Sequence, residues 1–222
     1  MSGLLAIWEA LPYLLEGCLS TLAMVIGAMA LGLAVGAPMA MGQVYGNRYV
    51  RAIIGLYVWF FRGVPVLVLL FLFYFGLFTL LDLNLSAFNA ATLVLGMTSA
   101  AYQSQIFRGA IQSLPRGQFR AASALGMSDF RAMCTIIMPQ ALRLSIPAWS
   151  NEYSIVLKDS AVAFVLGVTE IMARTHFVAS RTYEHLPLYV AAGGLYFILT
   201  WLGVKALLAL ERKSRIPGYN VQ

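Results

Sequence analysis

"LSTLAMVIGAMALGLAVGAPMAM", Leu19 to Met41, carries no charge, and none appears anywhere between Glu16 and Arg48. A helix crossing the hydrocarbon core of a bilayer needs about 20 such residues, so this stretch reads as a membrane span. Its density of Gly and Ala suits close helix packing in lipid. The whole chain follows the same pattern. Of its 222 residues 60% are hydrophobic and 11% charged, against about 25% charged in a soluble domain, and the mean hydropathy is +0.78. The composition describes one polytopic helical membrane domain over residues 1–222 and excludes a soluble fold.

Outward from that first span, at about 17–42, the apolar stretches predict four more at about 52–81, 84–113, 144–168 and 185–210. The second is interrupted by "FRGVP", Phe61 to Pro65, and the fourth holds Glu152, Lys158 and Asp159. Five spans place the termini on opposite sides. Basic residues orient them: Arg48 and Arg51 follow span one, Arg108, Arg116, Arg120, Arg131 and Arg143 fall between spans three and four, and Lys205, Arg212, Lys213 and Arg215 end the chain. The N-terminus and the loop around Asp82 have none, while Arg174 and Arg181 follow span four. The positive-inside rule then sets the N-terminus outside and the C-terminus in the cytoplasm. The net charge of +6 reflects this clustering, not nucleic-acid binding. The N-terminus lacks the basic region of a cleavable signal peptide, so the first span is expected to direct insertion.

"RAASALGMSDFRAMCTIIMP", Arg120 to Pro139, interrupts the apolar pattern within a segment at 116–139. "GQFRAASALG" is a short helix former ended by Gly126, a natural residue just past a helix end. Ser128 is placed to cap a second helix, and Pro139 is expected to close it. The first helix is too short to persist alone in water. It is either a plain re-entry loop or an element that docks on something else.

The segment resembles the cytoplasmic signature of the permease subunits of binding-protein-dependent ABC importers: E-A-A, three residues, G, nine residues, I, one residue, L-P. Here the positions are Arg120-Ala121-Ala122, Gly126, Ile136 and Met138-Pro139. Arg120 reverses the usual charge, and Met138 replaces Leu with little change in volume. "FFRGVPVLVLLFLFYFG" is similar to the Arg-Gly-Thr-Pro segment of the polar amino acid branch, with Val64 in place of Thr. "PQALRLSIPAWSNEYSIVLKDSAV", Pro139 to Val162, is similar to that branch's entry into span four.

The resemblance implies an all-α membrane protein with five transmembrane helices and cytoplasmic coupling helices, of the type I importer permease kind, in the cytoplasmic (inner) membrane. Phe119, Arg120, Ala121, Ala122, Leu125, Gly126 and Pro139 would form the ATPase-coupling element. The implied partners are an ABC ATPase dimer, a second permease, identical or not, and an extracytoplasmic binding protein that delivers a polar or charged amino acid. This chain would bind no cofactor; ATP and magnesium would sit on the ATPase.

Charged residues at membrane depth cost about 2.5–3.5 kcal/mol each on insertion scales and usually face a cavity or a partner. Glu152 and Asp159, seven apart, share a helix face about 10 Å apart along the axis, with Asn151 and Lys158 on the neighbouring face. Carboxylates suit an amino acid's ammonium or cationic side chain, and Lys158 suits its carboxylate. The alternative is that Lys158 and Asp159 pair at the membrane interface. The family pattern holds a similar Lys-Asp-Ser whatever amino acid is carried, so Glu152 is the better substrate candidate.

Arg62, Gly63 and Val64 offer a second locus. Broken helices present backbone groups to ligands in transporters; alternatively Arg62 marks the membrane surface and Pro65 the first turn of a helix. Tyr102 and Gln103 are expected to bond neighbouring helices, and His176 and His185 to be solvated in the outer loop.

No catalytic set is expected. There is no phosphate-binding GxxxxGK[ST] loop, no nucleophile–base arrangement, and no metal or disulfide pattern at Cys18 and Cys134. An integral membrane enzyme would need such a constellation, and an ATPase-independent channel would need no coupling segment. A permease for another small solute is the nearer alternative.

Overall fold

The computed structural model describes residues 3–214; Arg215 and the side chain of Arg116 lie outside what it describes. Among the described residues every regular element is helical. In chain order these are α1 (Gly3–Tyr45), α2 (Arg48–Gly63), α3 (Val66–Phe71), a π turn (Leu72–Leu77) leading to α4 (Phe78–Leu80), and α5 (Ala87–Ser113). Then come α6 (Arg116–Ala124), α7 (Asp129–Ala132), a second π turn (Met133–Ile137), α8 (Met138–Leu144) and α9 (Ile146–Asp159). A 3-10 turn (Ser160–Leu166), α10 (Ile171–Thr182) and α11 (His185–Ser214) complete the order.

The bundle is built on α1 against α5, which pack along most of their length. Small residues make that approach possible. A methyl group added at Gly27 would lie 2.8 Å from Thr92, one at Gly96 2.6 Å from Leu31, and one at Gly36 2.9 Å from the Ala100 carbonyl oxygen. Helices in lipid gain nothing from the hydrophobic effect by meeting, so close backbone contact and dispersion must hold them together. The largest buried cluster, with Met24, Val25, Leu69, Leu70, Val94, Leu95 and Leu157, joins α1, α3, α5 and α9.

By length and composition α1 and α11 can each cross a bilayer, with mean hydropathy reaching 2.2 and 1.7. The expected second span takes another form. α2 and the α3–α4 segment meet at a bend of 108°. Val64 is extended, at φ −100° and ψ 132°, because the ring of Pro65 excludes the residue before it from the helical region. Asn47 starts α2, its side-chain oxygen accepting from the amides of Tyr49 and Val50 at 3.0 Å each. Of the two further expected spans, α5 is 27 residues long, about 40 Å at 1.5 Å per residue. It buries Thr98, Ser99, Gln103 and Ser104 in the interior and is less apolar than α1. The fourth is α9 with its 3-10 extension.

At the periphery α11 packs on α9, α10 and α1. Gly203 leaves room for the Tyr153 ring of α9, whose hydroxyl donates to the Leu199 carbonyl at 3.1 Å. Elsewhere on α11 the apolar side chains of Val190, Phe197, Ile198, Trp201 and Leu202 face outward, as a lipid-facing or subunit-facing helix requires.

Gly36→Leu is therefore expected to lower the melting temperature of the detergent-solubilised protein, by the equivalent of about 1–3 kcal/mol for overpacking. Gly193→Ala, where an added methyl meets nothing within 4 Å, is expected to leave it unchanged or raise it by about 0.5–1 kcal/mol, as Gly to Ala does inside a helix. Equal effects of the two would refute the close packing of α1 on α5.

Candidate functional site

Two regions gather the residues that the sequence singles out, one within the bundle and one at its end. Within the bundle, Glu152 on α9 is 2% exposed. It accepts a hydrogen bond from Ser99 Oγ of α5 at 2.8 Å. One turn along α5, Gln103 Nε2 donates to the Met29 carbonyl of α1 at 3.1 Å and to Ser99 Oγ at 3.0 Å. Its Oε1 accepts from the Trp149 indole of α9 at 2.7 Å. Three helices are thus tied at one depth by Met29, Ser99, Gln103, Trp149 and Glu152. Gln103 bonds its neighbours as expected, whereas Ser99 and Trp149 carried no sequence signal beyond the i, i+4 spacing of Ser99 to Gln103.

Around this knot lie the charges. Arg62, in the last turn of α2, stacks its guanidinium over the Tyr102 ring with 4.9 Å to the centroid. This cation–π contact takes the place of the hydrogen bond expected for Tyr102. The structure therefore stacks Arg62 on Tyr102 beside the α2–α3 bend, with Glu152 joined to the same helix, α5, through Ser99, three residues before Tyr102, and Asp159 two turns further along α9. Gly63 is exposed and Val64 half-buried at the bend itself. Asn151 and Lys158 are exposed on the adjoining face of α9, while Asp159 is half-buried. A carboxylate, a guanidinium and a bend in the backbone in one place can hold the ends of a zwitterion.

At the end of the bundle, α6 closes as the sequence predicts. Gly126 has φ +76°, its amide donates to Ser123 O at 3.0 Å, and the Met127 amide reaches Ala122 O at 3.1 Å. This paired pattern is a Schellman closure, which needs a left-handed residue and favours Gly. Ser128 then caps α7 by accepting from the Arg131 amide at 3.4 Å. Ala122 is buried, but Arg120, Ala121, Leu125 and Phe130 are exposed, Leu125 at 82% and Phe130 at 70%. Phe119 stacks on Tyr45 of α1 at 5.4 Å between centroids, beside a cleft of about 480 Å³ lined by Val44, Ile111, Pro115 and Arg120. Gln140 of α8 donates to Gln118 of α6 at 2.6 Å, which ties the short helices together.

Pro139 does not close a helix. The chain stays helical through it, because the π turn at Met133–Ile137 immediately precedes α8 and Pro139 occupies the first turn of that helix. A proline there lacks only an amide that the widened turn has already released. The segment therefore runs from Asp129 through α8 toward α9 with only Ser145 between them.

At the opposite end, an acid that the sequence reading passed over is wholly buried. Glu170 caps α10, accepting from the amides of Met172 at 2.8 Å and Ala173 at 2.7 Å, and takes a short hydrogen bond from the Tyr196 hydroxyl of α11. Arg174 pairs with Glu16 of α1 at 2.6 Å and covers the Tyr13 ring. His176 and His185 are exposed, as expected, and both meet Tyr189, one at 3.0 Å and one by stacking. Both cysteines are free, and no group of three or more His, Cys, Asp or Glu residues that could hold a metal is found among the described residues.

Residues 29–215 match the family model described as binding-protein-dependent transport system inner membrane component. The chain is 34% identical over 220 residues to the histidine/lysine/arginine/ornithine transport system permease protein HisM of Salmonella typhimurium, covering 93% of each. It is 38% identical over 199 residues to the probable amino-acid permease protein YxeN of Bacillus subtilis, covering 87% of this chain and 89% of that protein. Among solved structures, an amino acid ABC transporter crystallised with histidines superposes with a TM-score of 0.83 at 31% identity, over 94% of this chain and 97% of the other. The methionine transporter MetNI, at 20% identity and a TM-score of 0.78, shares the fold. With the match spanning most of its length, this chain belongs to the inner membrane components of binding-protein-dependent transport systems.

Proposed function

We infer that this chain is the permease subunit of an ATP-driven importer for a polar or charged amino acid handed over by an extracytoplasmic binding protein. The observation that carries the reading is the exposed α6–α7 corner. It presents Leu125 and Phe130 to a partner while Gln118–Gln140 and the unbroken helical path to α9 tie it to the bundle. A chain without an ATP site of its own has to receive its driving force at such a surface. The partners in this reading are an ABC ATPase dimer that holds ATP and magnesium, and a second permease, identical or not. Phe119, Arg120, Ala121, Ala122, Leu125, Gly126 and Pro139 belong to the coupling element. The N-terminus lies outside, and α6–α8 and the C-terminus lie in the cytoplasm, in keeping with the basic residues gathered there.

Substrate chemistry follows from the charged cluster. Glu152 and Asp159 suit an ammonium or a cationic side chain, Arg62 and Lys158 a carboxylate, and Asn151, Gly63 and Val64 adjoin them. The likeness to HisM makes basic amino acids the first to test. Because Glu152 is held by Ser99, it would act on substrate through this cluster when the bundle opens, while Asp159 stands nearer the surface.

In proteoliposomes holding the permease, its ATPase and its binding protein, Gly126→Pro is expected to abolish coupling: substrate-stimulated ATP hydrolysis falls to the basal rate. Gly126→Ala costs about 1–2 kcal/mol for a left-handed residue and is expected to lower coupling without abolishing it. Full stimulation in the proline variant would remove α6 from the coupling element. Arg120→Glu is expected to leave the complex assembled, judged by co-purification of the ATPase. Glu152→Gln is expected to cut uptake of a cationic amino acid about tenfold, in the range of one lost charged hydrogen bond, with ATPase co-purification unchanged. Normal uptake by that variant would leave Glu152 a purely structural member of the knot.

A further inference from the structure

A groove of about 280 Å³ opens on the flank of the bundle, where α8, α9 and the end of α11 converge on α1 and α5. Its floor is Leu33, Phe107, Ile146 and Trp149, its outer wall is Leu210, and Arg143 stands at its rim. Leu210 belongs to α11, the helix whose apolar stretch is the least buried of those able to cross a bilayer, so the groove opens on the outer surface of the described bundle. Its volume falls just under the range of about 300–1,000 Å³ for small-molecule pockets, enough for part of an acyl chain.

The rim decides what fits. Arg143 is exposed, and no salt bridge or side-chain hydrogen bond is found for it among the described residues. Arg212 and Lys213 lie in the last turn of α11, beside half-buried Glu211. An apolar slot beneath a guanidinium at the edge of the membrane matches one class of ligand. Arg binds a phosphate through parallel N–H donors, and basic pockets between helices on the cytoplasmic side bind anionic lipid headgroups. We propose that this groove is a site for an anionic phospholipid of the cytoplasmic leaflet, with one acyl chain against Trp149 and Leu210 and the phosphate on Arg143.

The side of the membrane rests on the orientation proposed above, but the site itself stands on the groove. Its position matters for transport: Trp149 forms its wall and donates to Gln103, which bonds Ser99, the partner of Glu152. An acyl chain there presses on the helix that links the coupling segment to the charged cluster.

The test uses the complete importer, reconstituted in phosphatidylcholine with a trace of photoreactive phosphatidylglycerol or, in parallel, photoreactive phosphatidylcholine. Labelled peptides are mapped by mass spectrometry. The anionic probe is expected to label residues 138–149 and 202–214 roughly fivefold more than the zwitterionic probe, the effect of one basic residue at an anionic surface. Arg143→Gln should erase that preference and Arg143→Lys should keep it. Equal labelling by the two probes, no labelling of these peptides by either probe, or a preference that survives Arg143→Gln would overturn the site. ATP-driven uptake in the same vesicles separates the two readings. Uptake without lipid preference refutes the lipid site alone, whereas no uptake by the wild-type complex for any amino acid refutes the transport reading.

Discussion

A polar group at membrane depth has no water to turn to, so each one must be answered from within the protein. The knot of Met29, Ser99, Gln103, Trp149 and Glu152 is the answer here, and the rest of the bundle is arranged to permit it. Gln103 can reach the Met29 carbonyl only because Gly32 and Gly36 let α1 lie against α5. Glu152 meets Ser99 only because α9 packs against the same face of α5. Small residues and polar residues are two halves of one device: the first bring the backbones close, and the second fix the register at which they stop.

That device sits between two ends with opposite demands. At the end opposite α6 and α7, Glu170, Tyr196, Glu16 and Arg174 hold α10 against α1 and α11 through buried or charged contacts. At the α6–α7 end the side chains are left open, with Leu125 and Phe130 exposed. Between them the chain remains helical from Asp129 to Leu166 apart from Ser145, and the π turn at Met133–Ile137 absorbs what would otherwise be a break at Pro139. Through Gln118–Gln140 and this continuous path, α6 and α7 are joined to the element that carries Trp149, Glu152 and Asp159. The proposed lipid groove flanks the same path.

The pattern of residues made much of this legible. Gly126 and Ser128 announce the turn between α6 and α7, since a left-handed corner and a side-chain cap are local events that depend on a few neighbouring residues. Gly63 and Pro65 mark the weak point of the second span, although the size of the bend does not follow from them. Pro139 misled for the opposite reason: proline usually stops a helix, but a π turn just before it had already released the amide it lacks. Glu170 was invisible because Glu is not among the favoured N-cap residues, and its burial beneath Tyr196 depends on a helix arriving from 26 residues away in sequence.

What the sequence determined by itself was the helical membrane class, the α6–α7 corner and the family. Each rests on composition, on local backbone preference or on a spaced motif, which the chain carries along its length. Only the tertiary structure decided that Glu152 is enclosed by Ser99, that Arg62 covers Tyr102 and that Arg143 overlooks an apolar groove. Those facts turn on which helix faces which, and the direction a side chain meets is set by packing between segments far apart in the chain.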